Sequence, residues 1–242
     1  ARYTLLFQKV ILDYYTGLLN ELNEMVITGT RTDKQKNTSA IAVSSLSSKT
    51  LENTQSLNLA EGLNFQPGLR VEVNCQTCNY TQLRINGLGG AYSQLLINNR
   101  PIFNSLMGLY GLEQVSSDMI EKVEVTKGGG SALFGSNAIA GTVNVITKEP
   151  KKDQFAFGTV GGFTTLESSD LSYYGNFTKT FEKAAVSLFA TGRNRAPYDH
   201  NNDGFTEIPK ADNYSIGFKT HLKPSNKHKI NFDFFKIYEY RR

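Results

Sequence analysis

Two runs of alternating apolar residues lie on either side of a glycine-rich segment near the middle of the chain. The runs Ile120–Val125 and Val143–Ile146 are rich in β-branched residues, which is typical of strands. Residues 128–141 between them are rich in Gly, Ser and Ala, with room for one helical turn over Ser131–Phe134. The pattern predicts two strands of one sheet, joined by a short and tight connection.

The glycine-rich connection lacks the residues of a nucleotide-binding loop. Gly130 and Gly135 have the spacing of a phosphate loop. However, Ser136 and Asn137 stand where Lys and Ser or Thr would be needed, and Leu133 replaces the third glycine of the dinucleotide-binding pattern. The sequence therefore predicts a structural role for this connection.

The region before the connection has the pattern of a small α+β domain. A helix is predicted over Ser48–Gly62, and strands are predicted around Leu69–Val73, Tyr80–Ile85 and Ser93–Ile97. Together with the two central strands, they predict one compact domain over residues 41–150. Residues 1–20 carry apolar side chains at mixed spacing and are assigned no function.

Alternation with a period of two dominates the chain after Asp153. In successive segments of about ten residues, apolar side chains share one parity and polar or small ones the other. The apolar positions are Phe155, Phe157, Phe163, Leu171, Tyr173, Phe177, Phe181, Tyr214, Ile216, Phe218, Leu222, Ile230, Phe232 and Phe234. About five antiparallel strands are predicted over residues 151–242. Both a transmembrane β-barrel and a soluble β-sandwich have this alternation.

The lengths of the connections favour the barrel. The turns at Glu182–Lys183 and Lys223–Lys227 are short and fall on one side, whereas the connection Asn194–Asp212 on the other side is long. Short inner turns and long outer loops are typical of outer-membrane barrels. Since a plugged barrel of roughly 22 strands needs several hundred more residues, the chain is expected to be a fragment of a transporter.

Composition removes several classes of function. The net charge of +4 comes from 26 basic and 22 acidic residues that are spread evenly, which argues against a nucleic-acid partner. The sequence contains no long apolar run that predicts a transmembrane helix and no signal peptide at its start. The carboxylates are scattered and the three His have no paired motif, so no enzyme is predicted.

A short β-prone patch, Met25–Thr28, is followed by Gly29 and lies in otherwise polar sequence. Its surroundings offer it little to pack against locally. Two interpretations remain open at this point. The patch is either an edge strand of the domain or a peptide whose backbone pairs with the exposed sheet edge of a partner.

The two cysteines, Cys75 and Cys78, lie in a polar segment between predicted strands. A redox pair would need the first Cys to open a helix, and a zinc site would need two more ligands nearby. The pattern favours a disulfide in an oxidising compartment. Its ring is so small that its contribution to stability should be modest.

The long outer connection contains a candidate calcium site. Asp199, Asn201 and Asp203 alternate as oxygen ligands before a glycine, and Glu207 is a further candidate ligand. Lys210 stands at the twelfth position, which excludes an EF-hand. The alternative is a solvated turn rich in Asn and Asp. No other cofactor is predicted.

Several motifs, in their order along the chain, resemble those of a known family. They are Met25–Gly29, Arg84–Leu88, Leu95–Pro101, Ile120–Lys148 and the aromatic repeats that follow. Together they resemble the TonB-dependent outer-membrane receptors, over the plug domain and the start of the barrel. The segments Asn74–Tyr80 and Tyr92–Phe103 further resemble haem and cobalamin receptors.

The resemblance implies an α+β plug domain, a small mixed sheet with short helices, followed by antiparallel transmembrane β-barrel strands, with the barrel incomplete in this chain. Residues 21–40 would hold the TonB box and its tether on the periplasmic side of the bacterial outer membrane. Residues 41–150 would be the plug inside the barrel, and residues 151–242 the first barrel strands. Many family members place two Arg of the plug against barrel glutamates. Asn86 and Lys127 occupy those positions here, so Lys127 is expected to contact the barrel without the bidentate geometry of Arg.

The resemblance also implies the function and its residues. The receptor would bind haem, cobalamin, a siderophore or another metal chelate outside and import it into the periplasm with energy from TonB. The TonB box is assigned to Glu24, Met25, Val26, Ile27 and Thr28, and the ligand-binding apex to Asn74, Gln76, Tyr80, Arg100, Phe103 and Tyr110. Outer-membrane lipid and a surface lipoprotein are further candidate partners. The alternative is a soluble plug-like binding or signalling module without transport.

Overall fold

The computed structural model describes residues 24–30, 32, 34–75, 80–101, 112–163, 168–225 and 228–241. These residues form two five-stranded sheets and two short hairpins. The strands are β1 (Met25–Val26), β2 (Lys34–Gln35), β3 (Val43–Ser47), β4 (Leu69–Cys75), β5 (Tyr80–Ile85), β6 (Ser93–Ile97), β7 (Arg100–Pro101), β8 (Ile120–Lys127), β9 (Gly141–Thr147), β10 (Gln154–Phe163), β11 (Ser169–Thr180), β12 (Ala184–Arg195), β13 (Ala211–Ser225) and β14 (His228–Arg241). Helices α1 (Ser48–Asn53), α2 (Leu59–Leu63) and α3 (Ser131–Phe134) and 3-10 turns at Lys36–Thr38, Gly90–Tyr92 and Ser117–Met119 lie between them.

The first sheet, which we call the mixed sheet, has the strand order β3-β8-β9-β6-β7. β6 and β9 run parallel, and the other neighbours are antiparallel. β8 and β9, the two strands predicted around the glycine-rich connection, are adjacent, with Val123 opposite Val145. The mixed sheet and its short helices confirm the predicted α+β fold.

The connection between β8 and β9 is as tight as its composition predicts. Gly128 has a φ of +93°, which favours glycine. A Cβ on Gly141 would lie 2.2 Å from the carbonyl oxygen of Thr126, so this position has no room for any side chain. β9 therefore begins at a residue that must be glycine.

The prediction of a single helix over residues 48–62 is wrong. Two short helices replace it, because Ser and Asn side chains bond to backbone N–H groups and start each helix separately. Ser47 Oγ accepts a hydrogen bond from Thr50 N at the start of α1, and Asn58 Oδ1 accepts one from Glu61 N at the start of α2. Gln55, with a φ of +52°, lies in the turn between them.

One face of the mixed sheet packs on these helices and on the β4–β5 hairpin. The buried apolar cluster on that face contains Leu46, Leu51, Leu59, Ala60, Leu63, Leu69, Leu83, Ile85, Leu112, Val115, Ile120, Val123, Val125, Ala140, Val143 and Val145. The opposite face is polar in its middle, where Glu124 and Asn144 are fully buried. That buried polar face needs a cover that supplies hydrogen bonds.

The second sheet, which we call the meander, is the antiparallel series β10-β11-β12-β13-β14. Its outward face is apolar and exposed, with Phe155 78% and Phe157 68% accessible. Its inward face carries polar side chains that the mixed sheet buries, among them Lys219 and His221. The meander confirms the predicted five antiparallel strands and their alternation. Within the residues described above, no helix is long and apolar enough to cross a membrane.

Candidate functional site

The predicted TonB box is folded against the polar face of the mixed sheet. β1 pairs antiparallel with β2, Met25 opposite Gln35 and Val26 opposite Lys34. We call these strands and the residues between them the N-terminal hairpin. Val26 and Thr28 are buried, the latter completely. The patch packs against residues that are distant along the chain, and the sequence alone does not show the polar face that receives it.

One carboxylate holds the hairpin in place. Glu124 lies in β8, and Oε2 of its fully buried side chain accepts three hydrogen bonds from the hairpin. The donors are Ile27 N at 2.9 Å, Thr28 N at 2.8 Å and Thr28 Oγ1 at 2.6 Å. Lys122 Nζ lies 2.6 Å from the other oxygen, Oε1, and forms an ion pair with it. Oε2 is thus hydrogen-bonded, whereas the charge at Oε1 is offset by the ion pair with Lys122 without a hydrogen bond of good geometry.

Asn144 of β9 supports the same contact from the side. It lies directly opposite Glu124 in the sheet, and its Nδ2 donates to Thr28 Oγ1 at 2.9 Å. Nδ2 also donates to Asn99 Oδ1 at 2.6 Å, and Asn144 Oδ1 accepts from Asn99 N at 3.0 Å. Thr28 is therefore held between a carboxylate and an amide that the turn after β6 orients.

The rim of the hairpin is held by weaker contacts. Glu24 Oε2 accepts from Ser45 Oγ at 2.6 Å and from Lys36 Nζ at 3.2 Å. Lys122 Nζ also donates to the carbonyl oxygen of Met25. We call Glu124, Lys122, Asn144 and Ser45, the mixed-sheet residues that contact the hairpin, the Glu124 site. Sequence reasoning assigned it no role, because a lone Glu in a strand resembles a solvent-facing residue.

The Glu124 site should make hairpin docking depend on pH. Burial by itself raises the pKa of Glu124, but the close contact with Lys122 and the hydrogen bonds from Thr28 and Ile27 bring the net pKa below its ordinary value of 4.5. A lowered pKa stabilises docking fully above the ordinary value, and that stabilisation is lost as the pH falls through the lowered one. Among the described residues, Glu24 and Lys36 also lie beside the docked segment, and they pair with each other.

We expect a nitroxide attached through Met25→Cys, an exposed position, to be immobile at neutral pH and mobile in acid. Electron paramagnetic resonance spectra recorded as the pH is lowered below 4.5 would show the transition. The same label in a Glu124→Gln background is the control, and it should show no transition at that pH. A transition of equal size in both proteins would contradict the role of Glu124.

The described ion pairs between the mixed-sheet side and the meander share one polarity, and the expected contact of Lys127 with the barrel stays a prediction. The acidic partner belongs to the mixed-sheet side and the basic partner to the meander. Arg193 pairs with Glu61 at 3.4 Å, Arg241 with Glu113 at 2.7 Å, and Lys229 with Glu149 at 2.6 Å. Lys127, the predicted basic contact, lies beside Gly68, where an added Cβ would meet its Nζ at 2.8 Å.

The predicted ligand-binding apex falls largely outside the described residues. Gln76, Cys78, Phe103 and Tyr110 lie outside them, and so does the predicted Cys75–Cys78 disulfide. The backbone of Asn74 and Cys75 is in β4, and that of Tyr80 begins β5. Arg100 is exposed in β7, directly after the turn that holds Asn144. The assignment of these residues to ligand binding stays a prediction.

The predicted calcium ligands bond to their own loop. Asp199, Asn201 and Asp203 accept hydrogen bonds from the N–H groups of Gly204, Asp203 and Phe205 respectively. Glu207 accepts one from His200 N at 2.7 Å. Among the residues that the structure describes, no group of three His, Cys, Asp or Glu side chains is arranged to hold a metal ion. These bonds are those of Asn- and Asp-rich turns, and calcium binding stays a prediction.

The fold and the site together define a class of protein. A small mixed sheet, with a hairpin docked on its polar face, lies against the inner face of an antiparallel sheet whose outer face is apolar. Residues 35–142 match the model of the TonB-dependent receptor plug domain. The chain thus carries a plug domain of the type found in TonB-dependent receptors, followed by five antiparallel strands.

Curated proteins that are similar to this chain are transporters and receptors. The chain is 29% identical over 170 residues to the vitamin B12 transporter BtuB of Vibrio vulnificus, covering 69% of this chain and 27% of the relative. It is 28% identical over 163 residues to the ferric enterobactin receptor PirA of Pseudomonas aeruginosa, covering 62% and 21%. The chain thus spans about a quarter of the length of these relatives.

Solved structures show the same fold. The siderophore receptor PirA from Acinetobacter baumannii superposes with a TM-score of 0.68 at 20% identity, over 82% of this chain and 32% of that one. The ferric yersiniabactin uptake receptor FyuA from Yersinia pestis superposes with a TM-score of 0.67 at 14% identity, over 84% and 32%. At these identities the likeness concerns the fold alone.

Proposed function

We propose that this protein is an outer-membrane receptor that binds a scarce nutrient at the cell surface and imports it into the periplasm with energy supplied through TonB. The observation that carries the proposal is the plug-type mixed sheet, which packs against the meander. The outer face of the meander is apolar. An exposed row of Phe, Leu and Ile along five strands is costly in water and stable in lipid. This face argues against the alternative of a soluble plug-like module.

The nutrient is proposed to be a metal chelate of the cobalamin or ferric siderophore type. The relatives named above transport vitamin B12 or receive ferric enterobactin. Haem, the third candidate from the sequence resemblance, stays a prediction, as does a surface lipoprotein partner. Ligand contact is proposed for the segments around Asn74–Tyr80 and Arg100–Tyr110, with the plug inside the barrel and the N-terminus in the periplasm.

Glu24, Met25, Val26, Ile27 and Thr28 are proposed as the TonB box. Strand addition uses backbone N–H and C=O groups, and an extended β-branched segment presents them in the required geometry. The N–H groups of Ile27 and Thr28 point at Glu124 in this structure. We therefore expect TonB to receive the segment after it has left the mixed sheet.

Ile27→Pro is expected to abolish uptake while leaving nutrient binding intact. Proline removes the N–H of residue 27 and cannot donate to a partner strand. Uptake and surface binding of radiolabelled cyanocobalamin and ferric enterobactin would be measured on cells that depend on the intact receptor. Ile27→Val, which keeps the N–H and the β-branched shape, is the matched control and should transport normally. Uptake by the Pro variant at the control rate would exclude this segment as the box.

A further inference from the structure

Two hollows lie between the mixed-sheet side and the meander, and the Glu124 site borders neither of them. The large hollow has a volume of about 710 Å³ and reaches Arg193 and Asn213, next to the long connection between β12 and β13. The small hollow has a volume of about 500 Å³ and reaches Thr178 and Ser187, towards the short turn between β11 and β12. Both volumes are those of pockets that hold small ligands.

The two hollows adjoin at Asp118 and Lys148, which border both of them. Asp118 lies in the 3-10 turn before β8, and Lys148 directly follows β9. Lys148 N donates to the carbonyl oxygen of Met119 at 2.9 Å, so the backbone holds the two residues close to each other. A molecule that moved from the long connection towards the short turns on this side of the plug would therefore pass both residues.

A hydrogen bond crosses the gap at this junction. Asn176 of β11 donates from Nδ2 to Asp118 Oδ2 at 2.7 Å, and it joins the plug side to the inner face of the meander. The bond involves side chains only, so it can open through a change of rotamer while both sheets keep their backbone pairing. The junction therefore has the construction of a gate.

The small hollow and its junction are positively charged. The lysines that border it outnumber the carboxylates: they are Lys148, Lys151, Lys152 and Lys219, against Asp118, Glu121 and Glu149. Lys148, at the junction itself, has no hydrogen bond or ion pair from its Nζ within the part of the chain that the structure describes. Lysines that border a passage attract anions and repel cations. The charges therefore favour an anionic molecule.

We propose that the two hollows are successive parts of one passage for the nutrient between the plug and the meander, that the Asp118–Asn176 hydrogen bond is its gate, and that Lys148 makes it selective for anionic chelates. The passage rests on the proposed function, because it needs a nutrient that is imported. It adds the side of the plug on which the nutrient moves and the residues that control this movement. Of the two kinds of nutrient proposed above, it favours an anionic ferric siderophore.

Asn176→Ala is the substitution that opens the gate, because it removes the donor and leaves every charge in place. Asn176→Ser is a second gate variant, whose shorter polar side chain cannot span the same distance. The matched control is Asn194→Ala. Asn194 donates to Asp212 within the meander, so this variant breaks a bond of the same type without opening the junction.

The test measures ion conduction by the intact receptor in planar lipid bilayers with potassium chloride. Loss of a hydrogen bond to a charged group shifts an open–closed equilibrium by at least about tenfold. Both gate variants are therefore expected to conduct at least about tenfold more than wild type and than Asn194→Ala, at equal amounts of inserted protein. The amount that is inserted and folded is measured by flotation with lipid vesicles and by protease resistance.

Charge selectivity tests the role of Lys148. In a potassium chloride gradient, the reversal potential of Asn176→Ala should show that chloride permeates better than potassium. A unit charge about 4 Å away changes the local concentration of an ion about fivefold even in water, so Lys148→Gln in the same background should lower the chloride-to-potassium ratio at least about fivefold. Lys183→Gln removes an exposed lysine that borders neither hollow, and it should keep the ratio. An equal ratio with and without the Lys148 side chain would overturn its role.

The passage and the proposed function fail in different ways. A wild-type receptor that does not enter lipid vesicles would overturn the proposed function, and the passage with it. A receptor that enters them and is folded, but conducts equally with and without the Asn176 side chain, would overturn the passage alone.

Discussion

Gly141→Ala is expected to prevent the mixed sheet from folding. The added Cβ would lie 2.2 Å from the carbonyl oxygen of Thr126 and 3.2 Å from Ile85 Cδ1. The first of these atoms belongs to the backbone of the neighbouring strand, so it cannot move without breaking the β8–β9 pairing. Both central strands of the sheet meet at this position, and a cost above about 4 kcal/mol is expected.

Gly129→Ala is the control for this prediction. A Cβ on Gly129 would meet no atom within 4 Å, and the residue needs no left-handed backbone. The two variants thus place the same methyl group at two glycines of one connection. Urea unfolding and protease resistance of the intact receptor would compare them. A stable, protease-resistant Gly141→Ala protein would show that the strands can separate at their start.

Arg241→Ala is expected to lower the free energy of unfolding by roughly 3 kcal/mol and to weaken the contact between the plug and the meander. The reason is that it leaves a buried carboxylate without its partner. The side chains of Arg241 and Glu113 are only 9% and 11% exposed, and Nη2 lies 2.7 Å from Oε2. Arg241 Nε also contacts Glu239, which accepts from Gln114. Removal of the guanidinium therefore affects contacts on both sides of the interface.

A double-mutant cycle separates the pair from its surroundings. Arg241→Ala, Glu113→Ala and the double variant should show a coupling energy within roughly 0.5–3 kcal/mol in urea unfolding of the intact receptor. Arg70→Ala is the matched control, because the side chain of Arg70 is 76% exposed and pairs with Glu72 at the surface. Its expected effect is below about 1 kcal/mol. Equal losses in Arg241→Ala and Arg70→Ala would mean that the buried pair does not hold the plug.

The described ion pairs that join the plug side to the meander all have the same polarity. The plug side supplies the acidic partners and the meander supplies the basic ones. The pairs are Glu61 with Arg193, Glu113 with Arg241 and Glu149 with Lys229. Attraction depends on the product of the two charges, so the same contact energy is available with either polarity.

Local pattern was enough to predict strands β4 to β6 and β8 to β14 and the class of fold, but not strands β2, β3 and β7. Alternation along β10 to β14 depends on the two-residue period of a strand, and each face of these strands has one character, an exposed apolar outer face and an inner face that packs on the plug. The same holds for β8 and β9, whose Val123 and Val145 face one apolar core. Elements that meet a uniform environment carry their full signal in the sequence.

The Glu124 site depended on partners that are distant along the chain. Glu124 lies 96 residues from Thr28, and Asn144 lies 116 residues from it. No local pattern encodes these distances, because the site exists only after β8 and β9 have paired and placed the two polar side chains next to each other. The break between α1 and α2 has a similar origin, since side-chain caps competed with helix propensity.

The sequence by itself determined the alternating strands, the glycine-rich turn and the β-prone patch at Met25–Thr28, because each is written in neighbouring residues. Only the tertiary structure decided that the patch is docked and that a buried carboxylate occupies its N–H groups. It also decided which glycine admits no side chain, and that the plug side of its interface with the meander carries the negative charge. The physical reason is the same in each case: burial and pairing are properties of residues brought together by the fold.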